Sequence, residues 1–396
     1  MQYDLVFEGG GAKGFAFVGA LQAFKEARHT PGRVLGTSAG AITATLLAAG
    51  FDIDDLGGAL GERAADGRPI FATFLGRPVG FSDSEINEGA LRKLLADIDI
   101  PGIPESIERR IDERIVRALA GSPRLCHLLA FFERGGWYGA DAFLDWMRRT
   151  LNTGTHNGQP RQYAGLTLAE FHQQTGNELT LVAADTTDAR KLILNHRTAP
   201  CVPIEWAVRM SMSVPLLWEE VVWQADWGEY RGREMTDHTV VDGGLLSNFP
   251  IELLISDDAL VQEVMGGKSG NKVIGFLIDE TIAVPDAPAL PGSAPVYGSL
   301  AEFAPVRRLR GLVETATRAA DRGAIEEFEH LVVHLPAKGY GTTEFDMQPE
   351  RRVALIAAGQ QATETYLQGL SSRSSIQAAP IDMDLVNQRA RKILDE

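Results

Sequence analysis

The sequence predicts an α/β fold whose central sheet is mostly parallel. The chain begins with a short apolar strand, residues 3–7, which ends on a glycine-rich loop. A helix over 15–28, a strand over 33–35 and a helix over 39–49 follow, and this order is typical of the start of a parallel sheet. Residues 272–278 are almost all apolar, as expected for a central parallel strand buried on both faces.

The elements that follow these first observations have the matching periodicity. In the first predicted helix, apolar residues recur at roughly helical spacing: Phe15, Val18, Ala20, Leu21 and Phe24. The second helix is rich in small residues and is stopped by Gly50. Further strands are predicted over 179–184, 191–194 and 239–241.

The region 51–160 differs from the rest of the chain because it is predicted to be largely helical. Residues 105–120 form a charged amphipathic helix with one apolar face: Ile107, Ile111, Ile115, Val116 and Leu119. A second helix is predicted over 137–151. We interpret the region as a helical insertion or cap over the sheet. Ordinary helices packed on the flank of the sheet are an equally good interpretation.

The domain prediction follows from these segments. Residues 1–370 form one domain that contains the insertion, and 371–396 form a polar C-terminal tail whose end is a loosely held helix. Within the domain, 284–298 is rich in Pro and Gly and predicts a surface loop, whereas 301–331 and 350–367 are mainly helical.

Composition excludes several classes of protein. The 396 residues carry a net charge of −15, which argues against nucleic acid as the main partner and against general electrostatic docking to anionic lipid, although a local patch could still dock. Two cysteines are too few for a disulfide framework or a zinc cluster. No signal peptide or membrane-spanning run is apparent, so we expect a cytoplasmic protein that can associate peripherally with the inner membrane.

The glycine-rich loop is the first candidate for chemistry. Its residues are Gly9, Gly10, Gly11, Ala12, Lys13 and Gly14. The Gly9-x-Gly11-x-x-Gly14 spacing fits a dinucleotide fingerprint, but no acidic residue ends the second strand, and a P-loop would need Ser or Thr after Lys13. Exposed N–H groups at the start of a helix bind anions, so we predict an oxyanion hole with Gly10 and Gly11 as donors. Lys13 either fixes the loop or is a solvated first-turn lysine.

The second candidate is the turn Gly36-Thr37-Ser38-Ala39-Gly40. A G-x-S-x-G turn between a strand and a helix exposes a serine hydroxyl for attack on an acyl carbon, and its glycines leave room beside the nucleophile. The pattern alone occurs often by chance. Because a strand precedes Ser38, an Ala-rich helix follows it and the glycine loop lies upstream, we predict that Ser38 is a nucleophile.

A nucleophilic serine needs a base, and the eight histidines lie in no convincing motif. A triad of Ser38, Asp242 and His330 or His334 would follow the chain order of α/β-hydrolases. That fold, however, places its serine after several strands, so we expect the histidines to be structural or at the surface. The other candidate is Asp242, which an apolar strand delivers before Gly243 and Gly244. Taken alone, Asp-Gly is more typical of a β-turn.

Together, these three motifs resemble the patatin-like phospholipase family. The loop sequence, with its lysine, is more similar to bacterial members than to plant storage patatins. The segment Arg209-Met210-Ser211-Met212-Ser213-Val214-Pro215 is also similar to the family. The resemblance is good over 3–50 and 163–255 and weaker over 297–370, whereas 51–160 have no counterpart in it.

The resemblance implies a three-layer α/β/α fold and a catalytic dyad without histidine, in which Ser38 attacks and Asp242 accepts its proton. It implies no cofactor and no metal. Glu8, before the loop, is a position at which relatives vary.

The resemblance implies a lipid acyl hydrolase of the phospholipase A or lysophospholipase type. The expected partners are a phospholipid or another acyl ester and, transiently, a membrane surface. Two alternatives stay open: an acyltransferase that uses the same acyl-enzyme, and a regulated lipid-binding module. Many bacterial relatives need an activating partner, a nucleotide or oligomerisation, and the sequence identifies no such signal.

An aromatic segment after the family-like stretch has two interpretations. Trp218, Trp223 and Trp227 lie among aliphatic residues and could form an apolar lip for acyl chains or a membrane surface. An aromatic hairpin packed on the core is the favoured alternative.

Overall fold

The computed structural model describes residues 1–97, 105–268, 270–288, 308, 325–373 and 381–395. The strands are Gln2–Phe7 (β1), Thr30–Thr37 (β2), Gly136–Tyr138 (β3), Thr155–His156 (β4), Gln159–Pro160 (β5), Leu179–Asp185 (β6), Arg190–Leu194 (β7), Leu216–Trp218 (β8), Val221–Val222 (β9), Thr239–Asp242 (β10), Lys272–Ala283 (β11) and Val332–Lys338 (β12).

The first four helices are Phe15–Glu26 (α1), Ala39–Ala48 (α2), Ile53–Leu60 (α3) and Ile70–Thr73 (α4). The helices of the middle region are Asp83–Glu88 (α5), Ala90–Ala96 (α6), Glu105–Gly121 (α7), Cys126–Arg134 (α8), Asp141–Leu151 (α9), Leu168–Thr175 (α10) and Ile204–Met212 (α11). The last ones are Glu252–Ile255 (α12), Ala259–Met265 (α13), Pro349–Arg373 (α14) and Met383–Asp395 (α15).

The central sheet is mixed, and it confirms the predicted α/β class. Its parallel part has the order β12-β11-β1-β2-β6, whereas β7, β9 and β10 are antiparallel to their neighbours. Two apolar clusters cover its two faces. Leu5 and Phe7 of β1 point to the cluster that holds α1 and α2, while Val6 between them points to the cluster that holds α12 and α13. Alternation along the strand therefore produces three layers, helix, sheet and helix.

Two strands meet end to end along one edge of β6. Val182 pairs with Thr37 of β2 on one side and with Ile193 of β7 on the other. The next residue, Ala183, pairs with Asp242 of β10, again opposite β7. Because β2 and β10 run in opposite directions, their C-terminal ends meet beside β6. The residues at the C-terminal ends of these two strands, and those that directly follow them, are thereby brought together.

The region 51–160 divides into two parts. Helices α3, α4 and α9 contribute Leu56, Ile70 and Trp146 to the main core. Helices α5 to α8 enclose a small separate cluster: Ile86, Leu91, Val116 and Leu129. That the region acts as a cap stays a prediction. Within the part of the chain that the structure describes, no single helix is both long and apolar enough to cross a bilayer; α7 from Ile111 and α8 pass that test only as a pair bent by 106°.

Several expectations need correction. The helix predicted over 137–151 begins only at Asp141, because 136–138 form β3, which pairs with β8. Strand β12 was missed, and most of the helix predicted over 301–331 and of the loop over 284–298 lies outside the described residues. The end of the tail is packed rather than loose, since α15 buries Val386 and Ala390 in the cluster beneath the sheet.

The structure also tests two predictions about exposed apolar residues. Of the predicted apolar face on α7, Val116 is buried but Ile111 and Ile115 are exposed. The three tryptophans 218, 223 and 227 are buried in the main core, which is the packed interpretation and excludes them as an apolar lip.

Candidate functional site

Ser38 occupies the turn between β2 and α2 in an unusual backbone conformation. Its φ is 53° and its ψ is −120°, a conformation that side-chain-bearing residues rarely adopt and that is found where the surrounding structure enforces it. Both flanking glycines are required by close backbone contacts. A Cβ at Gly36 would lie 2.2 Å from the carbonyl oxygen of Gly40, and one at Gly40 would lie 2.2 Å from that of Phe7. The turn has the form of a nucleophile elbow.

Asp242 reaches the same place from the end of β10. Its N–H donates to the Ser213 carbonyl at 2.9 Å, and its Oδ1 accepts the Gly244 N–H at 2.8 Å. Gly243 must lack a side chain, since a Cβ there would lie 2.4 Å from the Val182 carbonyl oxygen. The Asp-Gly-Gly sequence therefore lies at the end of β10 and packs closely against β6.

The Asp242 carboxyl is buried and interacts with Ser38. Burial raises its pKa from the usual 3.8 to about 7, while the Ser38 hydroxyl and the Gly244 N–H act in the opposite direction. The hydroxyl is not aligned for a full hydrogen bond, because Asp242 Oδ2 has no partner of hydrogen-bond geometry in the described structure. Such bonds are often loose in the free enzyme. Oδ2 is thus a buried, unoccupied acceptor beside the serine.

Helix α11 holds both residues. Ser211 Oγ accepts the N–H of Ser38 at 3.1 Å and donates to the Val182 carbonyl at 2.6 Å. Two residues later, Ser213 receives the backbone N–H of Asp242. From the sequence, this segment had only a resemblance to the family and no role. The buried hydroxyl of Ser211 was the available signal, because the contact of Ser213 uses its backbone carbonyl and does not depend on the side chain.

Arg209 extends this support. Its guanidinium donates to Ser213 Oγ and to the Glu219 carbonyl. Burial lowers its pKa to about 10, so it stays a cation at neutral pH. The carboxylate of Glu219 in turn accepts from Arg134, at 2.9 Å. A line of polar contacts therefore joins the end of α8 to the backbone of Asp242.

The glycine loop lies against the serine. A Cβ at Gly9 would be 2.9 Å from Ser38 Cβ, one at Gly10 would be 2.2 Å from Ile278 Cδ1, and Gly11 has a φ of 55°. The backbone N–H groups of the loop are not equally available as donors. Ala12 N–H donates to the Thr342 carbonyl at 2.9 Å and Lys13 N–H to the Gly10 carbonyl at 3.2 Å. Among the described residues, no acceptor receives the N–H groups of Gly9, Gly10 or Gly11.

The remaining two loop residues have structural contacts. Gly14 is the N-cap of α1, and a Cβ there would lie 3.0 Å from Ala39 Cβ, next to the elbow. Lys13 is buried and forms an ion pair with Glu280 of β11. Its side chain is therefore fixed rather than solvated.

Glu8 and Asn248 were not predicted as functional, yet they clamp the loop. Asn248 Nδ2 donates to Glu8 Oε1 at 3.1 Å and to the Gly9 carbonyl at 2.9 Å. Glu8 Oε2 accepts the Ile278 N–H at 2.7 Å. The segment after Asp242 is thereby tied to the loop before Ser38. A carboxylate directly before a glycine loop was a signal that sequence reasoning passed over.

The histidines of the alternative triad lie elsewhere. His334 is on β12, with β11 and β1 between it and β2, and its ring nitrogens meet Asp279 at 2.8 Å and Glu329 at 3.1 Å. His330 lies in the short turn just before β12. Within the described ranges, no imidazole is hydrogen-bonded to Ser38 or Asp242.

Within the described residues, two groups outside this site bring metal-ligating atoms within 4.8 Å of one another. The first is His172, Glu178 and His196, and the second is Asp185, Asp188 and His238. In the first group, Glu178 accepts two hydrogen bonds from Arg197, and the two imidazoles stack at 3.6 Å with their planes 1° apart. Parallel stacked rings cannot both aim a nitrogen at one ion. In the other group, Asp185 already accepts His238 and two backbone N–H groups. Neither arrangement fits a metal as it stands.

Replacing Gly9 with alanine should reduce turnover of an ester substrate by about 100-fold or more, since the new methyl group would lie 2.2 Å from Asn248 Oδ1 and would displace the glycine loop, the predicted oxyanion hole, from Ser38. The measurement is kcat/KM together with a melting curve. Gly58→Ala on α3 is the matched control, because a Cβ there meets nothing within 4 Å. Equal activities of the two variants would show that the position of the loop is unimportant.

Comparison with known proteins identifies a family. A sequence model described as patatin-like phospholipase matches residues 5–255. An uncharacterised protein of Bacillus subtilis (strain 168), YqhO, is 25% identical over 374 residues, which are 93% of this chain and 98% of that protein.

Two solved structures show a more distant likeness. VipD from Legionella pneumophila has a TM-score of 0.47 and 17% identity, over 93% of this chain and 67% of VipD. ExoU in its complex with SpcU from Pseudomonas aeruginosa has a TM-score of 0.38 and 16% identity, over all of this chain and 58% of the other. The chain thus spans little more than half of ExoU and two thirds of VipD. The family assignment rests on the sequence match.

Proposed function

This chain belongs to the patatin-like phospholipase family, and from that premise we propose that it hydrolyses acyl esters of lipids through Ser38 and Asp242. Family membership supports lipid-ester hydrolysis. The observation that carries the mechanism is the meeting of the Ser38 elbow with a buried carboxyl whose Oδ2 has no partner and whose pKa lies near neutrality. A base is most effective when its pKa lies near the working pH.

In the first half-reaction, Ser38 Oγ bonds to the acyl carbon while its proton passes to Asp242. The electron pair of the carbonyl moves onto its oxygen, where the free N–H groups of Gly9, Gly10 and Gly11 stabilise the charge. Collapse of this intermediate breaks the ester bond. The leaving alkoxide takes the proton from Asp242, and the acyl group stays on Ser38.

In the second half-reaction, Asp242 accepts a proton from water, and the hydroxide oxygen bonds to the acyl carbon. The second intermediate collapses, the bond to Ser38 breaks, and Asp242 returns the proton to Oγ. The products are a carboxylic acid and an alcohol. A glycerophospholipid is the leading substrate, so the expected products are a fatty acid and a lysophospholipid.

The test combines labelling with product analysis. A serine-directed fluorophosphonate probe should modify Ser38, as mapped by mass spectrometry, and phospholipid vesicles should release fatty acid. A panel of phospholipids, lysophospholipids and neutral esters, with and without cell lysate, then defines the substrate and any need for an activator. Labelling of another serine, or an inert panel, would contradict the proposal. Transfer of the acyl group to added lysolipid in excess of hydrolysis would make the protein an acyltransferase.

A further inference from the structure

Exposed apolar side chains concentrate in one part of the molecule. Ten large hydrophobic residues in the described ranges are strongly exposed, and six of them lie between residues 79 and 132: Val79, Leu94, Ile111, Ile115, Leu125 and Phe132. Single exposed hydrophobics are ordinary, but a concentration of them marks an interaction surface. The six belong to the region around the small cluster of α5 to α8, which buries few apolar residues of its own.

The outward face of α7 has an unusual composition. Ile111, Arg114, Ile115 and Ala118 follow one another at i, i+3, i+4 and i+7, so they form one stripe, and all four are exposed. The opposite face buries Asp112 and Val116. The stripe therefore combines aliphatic side chains with an arginine and contains no acidic residue.

A second stripe begins at the N-cap of α8 and continues along that helix. Leu125 and Phe132 are exposed seven residues apart, with the half-buried Leu128 between them, while Cys126 and Leu129 are buried. Val116 and Leu129 are buried together in the small cluster, so both stripes lie on the solvent-facing sides of α7 and α8, two helices that contact each other. We name Ile111, Arg114, Ile115, Arg124, Leu125 and Phe132 the hairpin surface.

The charges beside these residues are unequal. Arg114 and Arg124 form no ion pair with any residue in the described part of the chain. Of the neighbouring carboxylates that the structure describes, Asp112 pairs with Arg92, Glu113 pairs with Arg117, and Glu133 accepts the N–H groups that open α6. The hairpin surface is thus locally basic and apolar in a chain of net charge −15.

We propose that the hairpin surface docks the protein on an anionic lipid bilayer. This inference rests on the proposed function, which requires contact with aggregated lipid. Aliphatic and aromatic side chains flanked by arginines suit the interface, where the apolar groups enter the acyl boundary and the guanidinium groups meet phosphates. A protein partner for so acidic a chain would be expected to be basic, and the unpaired arginines would repel it.

A series of polar contacts connects the hairpin surface to the Ser38–Asp242 site. Helix α8 ends at Arg134, which binds Glu85 and Glu219, and Glu219 leads through Arg209 and Ser213 to Asp242. Helix α8, which carries part of the hairpin surface, is thus linked through polar contacts to the backbone of Asp242. Loss of docking should lower hydrolysis of vesicle lipids while leaving hydrolysis of a dissolved short-chain ester unchanged.

The experiment measures co-sedimentation of the full chain with vesicles of phosphatidylcholine containing about one third phosphatidylglycerol, and with pure phosphatidylcholine. All proteins carry Ser38→Ala, so binding is measured independently of catalysis and of the proposed function. The parent should bind the anionic vesicles, and less so at high salt. Ile111→Asp with Ile115→Asp should lose about 10-fold or more in partitioning, and Arg114→Gln with Arg124→Gln should lose the preference for phosphatidylglycerol.

Val353→Asp is the matched control, because Val353 is the most exposed of the ten residues apart from Met1 and lies on α14. It should bind as the parent does. Leu125→Asp provides a second variant should the double substitution fail to fold. Equal binding by parent and hairpin variants would overturn the inference. So would a dimer in lipid-free solution that Ile111→Asp converts to a monomer, because the surface would then serve self-association.

Discussion

Ser38→Ala should lower the turnover of every ester substrate by at least about 10⁴-fold, which is the scale of loss when a covalent nucleophile is removed. The glycine loop, which is the proposed oxyanion hole, stays in place, so a small residual rate over water remains. Ser38 Oγ is the only atom lost, and the backbone anchor from Ser38 N–H to Ser211 is independent of it. We therefore expect the same melting temperature within a few degrees.

The measurement is kcat on a dissolved ester, together with thermal melting and fluorophosphonate labelling. Ser84→Ala, at an exposed serine of α5, is the control and should be indistinguishable from the wild type. Turnover by Ser38→Ala that resembles the wild type would exclude an acyl-enzyme at this residue. A large fall in melting temperature would instead mean that the elbow depends on the hydroxyl for its conformation.

The parts of this fold that could be predicted from sequence are those fixed by local chemistry. The strand, glycine loop, helix and elbow of residues 2–48 follow from apolar periodicity and from glycines at positions that backbone contacts require, and the structure confirms these elements. The α7 helix was predicted for the same reason. Its apolar face was predicted to include Ile111 and Ile115, and both are exposed. An amphipathic pattern does not indicate which of its apolar residues contact a neighbouring element.

The features that sequence could not supply are all long-range. Nothing in residues 239–242 says that β10 is antiparallel to β6 and ends opposite β2; the family resemblance, rather than periodicity, singled out Asp242. The same holds for Asn248, which binds a loop 239 positions away in the chain. Strand β3 was absorbed into a predicted helix because three residues carry too little pattern to be separated from it.

Asp242→Asn should reduce kcat by about 10³-fold or more, because an amide cannot accept the Ser38 proton. The substitution preserves shape, and its Oδ1 can still accept the Gly244 N–H. His334→Ala and His330→Ala are the controls, and both should keep most activity, since neither imidazole is bonded to the site. Loss of activity in a histidine variant together with retention in Asp242→Asn would replace the dyad with a histidine-based mechanism.

The pH dependence of Asp242→Asn separates a base from a merely structural carboxyl. Because burial raises the pKa of Asp242 from 3.8 to about 7, the folded protein holds a proton between these values that the unfolded chain has lost. The stability that this group contributes to the wild type is therefore present at low pH and is lost as pH rises toward 7. At about 1.4 kcal/mol for each unit of pKa shift, the free energy of unfolding falls by at most roughly 4 kcal/mol.

Wild-type kcat/KM should change in the opposite direction and rise through pH 7 as the carboxylate forms. Asp242→Asn cannot ionise, so its stability relative to the wild type should increase between about pH 4 and pH 7, whereas its residual activity should lack the rise through pH 7. Melting curves and rate profiles over that range test both signs, and parallel stability profiles of the two proteins would mean that Asp242 is not the buried, proton-binding group proposed.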